Sequence, residues 1–127
     1  MKRKLITTAL ACLLMFSLTL TVFAASSAFT AVLPAHQGDV EVSTIRKEGN
    51  ASYFRISLNS SSVDAVCAWT EDSMGRNCSD PYKQVRFGMT NVNYTNKPAA
   101  GTDVTLNLDN PVYSDSTASA EGSWSPN

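Results

Sequence analysis

Val104-Thr105-Leu106-Asn107-Leu108-Asp109-Asn110-Pro111 carries the clearest structural pattern in the chain. Apolar and polar residues alternate strictly as far as Leu108, the period of a strand with one buried face, and Asn110-Pro111 then stops it. The same alternation recurs along the chain. Val40, Val42 and Thr44 alternate with Glu41 and Ser43, and Phe54, Ile56 and Leu58 alternate with Tyr53, Arg55 and Ser57. Glu48-Gly49-Asn50 between them reads as a turn, so these two runs are expected to form a hairpin. Val63, Ala65, Cys67 and Trp69 share one face of a third strand, which is expected to point into the core. A fourth starts with Val85, Phe87 and Met89 and continues through Val92 and Tyr94; Ala118, Ala120, Gly122 and Trp124 line the last. Clusters of Asn, Gly, Ser, Asp and Pro separate the runs, and no stretch after residue 39 keeps a helical period. The expectation is an all-β fold, a small antiparallel β-sandwich or open barrel of about six short strands. An immunoglobulin arrangement is disfavoured, because Trp69 follows Cys67 by two residues instead of lying between two distant cysteines.

The N-terminus carries a different signal. Met1-Lys2-Arg3-Lys4 is a basic segment, residues 5–23 are apolar, and Val22-Phe23-Ala24 has the small residues that signal peptidase reads. Residues 1–24 are therefore read as a signal peptide, residues 25–38 as an exposed N-terminal arm or linker, and residues 39–127 as the β domain. The apolar run is long enough to serve as a retained anchor, but threonines and serines dilute it and no basic stop-transfer cluster follows. Lipidation at Cys12 is disfavoured by Ala9 three residues before it.

Cleavage after Ala24 would leave 103 residues with seven basic and eleven acidic side chains, one domain of net charge −4. A surface without a basic stripe argues against nucleic acid or anionic lipid as the partner. The expected location is secreted and extracellular, with no stable membrane insertion. In an oxidising compartment Cys67 and Cys78 are expected to pair as a disulfide, which would stabilise so small a domain by about 3 kcal/mol. A zinc site at this pair lacks partners, since the only histidine, His36, lies far off in the arm.

Chemistry is sparse. His36, placed in a mobile arm, is a poor base for any serine nucleophile. Glu71, Asp72, Asp80, Asp109 and Glu121 could supply paired carboxylates, but turn formation accounts for most of them. Calcium is the least implausible ion, with Glu71, Asp72, Asn77 and Asp80 in one loop spanning 70–82, although Arg76 opposes a dication. No catalytic residue, cofactor or metal is assigned. Tyr53, Tyr82, Tyr94, Tyr113 and Trp124 could form an aromatic platform for a sugar or a protein. The best candidate binding face is the outward row of Tyr53 and Arg55, whose strand neighbour Ser57 is also polar.

Gly101-Thr102-Asp103-Val104-Thr105-Leu106-Asn107-Leu108-Asp109-Asn110, followed by Ala120-Glu121-Gly122-Ser123-Trp124-Ser125-Pro126-Asn127, resembles the ending of small exported proteins of Gram-positive bacteria of the DUF2712 type, in which a β run leads to a terminal Gly-x-Trp. The resemblance implies an exported protein of a group without assigned activity, some of whose members are similar in layout to bacteriocin-associated products. The reading is thus a non-enzymatic extracellular binding or envelope-associated module, contacting an extracellular protein or a cell-envelope component. A bacteriocin-like antimicrobial or toxin-like factor is the alternative, and a hydrolase the third.

Overall fold

The computed structural model describes residues 25–127. The expected signal peptide, with Cys12, lies outside the described residues. The described residues form eight strands: β1 (Ser27–Leu33), β2 (Val40–Arg46), β3 (Tyr53–Ser61), β4 (Val66–Asp72), β5 (Gln84–Val85), β6 (Gly88–Asn93), β7 (Asp103–Asp109) and β8 (Ala118–Ser125). They build two four-stranded antiparallel sheets, β1-β8-β3-β6 and β2-β7-β4-β5, that pack face to face without closing into a barrel. The all-β sandwich is as expected, with eight strands in place of about six.

Alternation accounts for the core. Val104, Leu106 and Leu108 of β7 are wholly buried, and they face Phe54, Ile56 and Leu58 of β3 and Ala118, Ala120 and Trp124 of β8. Burying this apolar set is the main driving force for the fold, at about 1.5–3 kcal/mol per large side chain. The Trp124 indole N–H is not orphaned, because it crosses to the second sheet and donates to Ser43 Oγ at 2.8 Å.

Four expectations are corrected. Residues 25–38 are not an exposed arm: Ser27–Leu33 pairs residue by residue with β8 and sends Phe29, Ala31 and Leu33 into the core. β2 and β3 do not form a hairpin; they belong to different sheets, because β3 has better partners in β6 and β8. The run from Val85 to Tyr94 is not one strand. The chain leaves the second sheet after Val85 and enters the first at Gly88, where φ is +102° and only glycine is unstrained. That crossing inverts the alternation, so Phe87 and Met89 are exposed while Val92 is buried.

The last correction concerns β4. Val66 and Ala68 point into the core beside Thr70, whereas Cys67 and Trp69 lie on the opposite face, level with Asp109 and Asn107 of β7. Both faces of β4 are buried, so the apolar run does not reveal which face meets the core. Lys47 is also fully buried, an unusual place for an ammonium. It donates to the carbonyls of Ala51, Pro126 and Asn127 and lies 5.3 Å from the centre of the Tyr94 ring. Tyr94 Oη donates to Pro126 O at 2.7 Å, so the last residues are fastened across the end of the sandwich.

Candidate functional site

The outward row of β3 is the candidate surface. Because Phe54, Ile56 and Leu58 turn inward, Tyr53, Arg55 and Ser57 must turn outward, and the pairing sets them level with Asn93, Asn91 and Met89 of β6. On the other flank Ser57 and Arg55 pair with Ser123 and Ser125 of β8. Three strands thus contribute to one face of hydroxyl, amide and thioether groups around a single guanidinium.

That guanidinium is held. Arg55 Nε donates to Asn91 Oδ1 at 3.1 Å, and Arg55 Cζ lies 6.0 Å from the Tyr53 ring centre, a cation–π distance. Tyr53 is half-buried under this contact, so it is less open than its polar neighbours suggest. Beside Arg55 a shallow groove of about 310 Å³ is lined by Ser26, Ser57, Met89, Ser123 and Asn127. Met89 is 68% exposed, an apolar element on an otherwise polar face. Sequence reasoning missed Met89 because the crossing at Gly88 changes its side, and missed Asn91 and Ser123 because cross-strand neighbours are unknown before register.

The other expected residues are not brought together in this way. Cys67 and Cys78 are both buried free thiols, not a disulfide. Cys78 N donates to Thr70 O at 2.7 Å and Glu71 bridges Asn77, so Cys78 is level with Thr70. Thr70 lies three positions along the strand from Cys67, about 10 Å away. A disulfide needs α-carbons within roughly 7 Å, and the odd offset directs the two side chains to opposite faces of the sheet. Cys67 instead lies level with Asp109; burial, reinforced by that neighbouring carboxylate, pushes its thiol up to about 12. Burial also raises the Cys78 thiol. Neither supplies a thiolate at neutral pH.

His36 is fixed, not mobile. It and Gln37 occupy a turn between β1 and β2, with His36 N donating to Ser114 O at 2.7 Å. Its Nδ1 lies 2.7 Å from Tyr113 Oη and 3.5 Å from Asp115 Oδ1. The ring lies on the surface near Tyr113 and Asp115, on the side of the molecule that carries the 110–116 loop.

The acidic loop is explained by its own backbone. Asp72 accepts from the amides of Met74 and Arg76 and from the Arg76 side chain at 2.8 Å, which holds its carboxyl below the usual range. Glu71 accepts the Trp69 indole N–H at 3.1 Å, and Asp80 accepts Tyr82 N at 2.9 Å. Among the described residues no three His, Cys, Asp or Glu side chains converge as metal ligands. Nor do the aromatics make one platform: Trp124 is buried, Tyr94 packs against Phe54 at 5.9 Å, and Tyr82 and Tyr113 sit on separate loops.

No family model matches the chain, no curated protein matches its sequence, and no solved structure matches its fold.

Proposed function

We propose that this chain is a secreted, non-enzymatic binding module of a Gram-positive-type bacterium that contacts an extracellular protein or a cell-envelope component through the outer face of its first sheet. The observation that supports this reading is the anchoring of Arg55 between Asn91 and Tyr53 on an exposed row. A guanidinium already fixed in place loses little side-chain entropy on binding, and Arg and Tyr are the residue types that dominate binding energy. The hydroxyls of Ser57 and Ser123 and the amides of Asn91 and Asn93 offer donors and acceptors in register with it. Buried, protonated thiols and a turn-bound Asp72 give no activated nucleophile to set against this reading. The resemblance of the C-terminal third to DUF2712-type exported proteins agrees with action outside the cell.

The test is retention on isolated Gram-positive cell walls and on whole cells of wild type, Arg55→Ala, Tyr53→Ala and His36→Ala. Arg55→Ala and Tyr53→Ala are expected to lose retention at least tenfold while His36→Ala keeps it. Equal retention of wild type and both β3 variants removes this face from consideration, and loss in His36→Ala alone favours a catalytic reading.

A further inference from the structure

The four sheet edges are not protected alike. β2 carries Glu41 and Arg46 and a bulge between Glu41 and Ser43, and β5 is only two residues long; both are devices that keep an edge from pairing with another chain. β6 begins at Gly88, where φ is +102°, and presents exposed Asn91 and Asn93. β1 has no such device. Its seven residues, Ser27-Ala28-Phe29-Thr30-Ala31-Val32-Leu33, hold no charge, proline, glycine or bulge, and pair without interruption with β8 on one side. Among the described residues no strand hydrogen-bonds the other side. β1 carries apolar residues on both faces: Phe29, Ala31 and Leu33 enter the core, while Ala28 and Val32 flank Thr30 on the solvent side, Val32 at 63% exposure. A solvated edge strand ordinarily shows polar residues on its outer face.

We infer that β1 is a self-association edge, and that its occupant is β1 of a second copy of this chain. A second copy fits this edge because the strand is complementary to itself. In an antiparallel β1–β1 pair, the register that uses all seven residues centres Thr30 on Thr30. It sets Ala28 against Val32, Phe29 against Ala31 and Ser27 against Leu33, so every core-facing residue meets a core-facing residue and every outer residue an outer one. The solvent-facing Val32 then packs against Ala28 of the other copy on both sides of the two-fold axis, which covers part of its exposed apolar surface without placing a charge in the seam. The two first sheets join into one eight-stranded sheet, and the row of Arg55 is presented twice on the same side. The pairing is isologous and closes at two copies. It stands independently of what the Arg55 face binds.

Sedimentation across a concentration series tests the inference with wild type, Val32→Lys and, as the other-edge control, Asn93→Lys. Wild type and Asn93→Lys should form dimers. Val32→Lys should weaken dimerisation at least tenfold while melting with wild type at concentrations too low for either to pair, because its side chain points to solvent in the monomer. Site-specific cross-linking reads the register: under mild copper oxidation Thr30→Cys should give covalent dimer, Ala28→Cys alone little, and Ala28→Cys with Val32→Cys dimer again, against the parent chain as blank. A wild type that remains monomeric at about 1 mM, where even weak pairing would show, overturns the inference. So does a ladder beyond dimer, which would mean β1 joining β6 head to tail, or equal cross-linking of Thr30→Cys and Ala28→Cys.

Discussion

His36 and Gln37 adopt φ of 63° and 59°, consecutive left-handed residues in the type I′ turn that joins β1 to β2. That turn favours Asn-Gly, and a side-chain-bearing residue in this conformation costs about 1 kcal/mol or more. The 110–115 loop holds it in place: Ser114 O accepts His36 N, and Pro111 O accepts Gln37 Nε2 at 2.7 Å. Gln37→Gly should therefore raise unfolding free energy by up to about 1 kcal/mol in urea titrations, net of one exposed hydrogen bond. Asp109 makes a second prediction at this scale. Its Oδ1 is buried without a partner, and burial, opposed by the neighbouring Cys67 thiol and aided by the charge of Asp39, raises its carboxyl above the usual value. A raised folded value means that the folded state holds the proton more tightly than the unfolded one. Its contribution is thus fully present below the unfolded value and is lost as pH rises through the folded one. Asp109→Asn should be more stable than wild type at pH 7, with the difference vanishing near pH 3 in parallel thermal melts.

At the scale of the element, β8 decides most of the first sheet, since it lies between β1 and β3 and its C-terminal end runs on to Lys47. Gly122 sits where β3 bulges between Ser57 and Ser60, and a Cβ there would overlap the Ser57 carbonyl oxygen and press on the Phe29 ring. Neither can yield cheaply, because one is backbone in a ladder and the other is in the core. Gly122→Ala should cost about 3 kcal/mol or more in chemical denaturation, or prevent folding, whereas Ser123→Ala on the outer face should change stability by less than about 0.5 kcal/mol. Equal effects would mean that the bulge relaxes. The small inward residues Ala118, Ala120 and Gly122 were legible as a face, but the reason for glycine was not, because the bulge belongs to β3.

At the scale of the whole molecule, cohesion comes from the two-sheet core and not from a cross-link. Native protein should label neither Cys67 nor Cys78 with a thiol reagent, denatured protein should label both without prior reduction, and a reductant should leave the melting temperature unchanged. A reductant-dependent melt would restore the disulfide. Period two in Val104–Leu108, Phe54–Leu58 and Ala118–Trp124 determined the all-β class, the inward residues of β3, β7 and β8 and the outward row of Tyr53 and Arg55, because side-chain direction along a strand follows from chain geometry alone. The strand at Ser27–Leu33, the inner face of β4, the side taken by Met89 and the separation of the two cysteines were decided only by tertiary structure. A strand buried on both faces has no readable alternation, a crossing between sheets reverses it, and proximity in sequence within a loop does not fix which face of a sheet a side chain reaches.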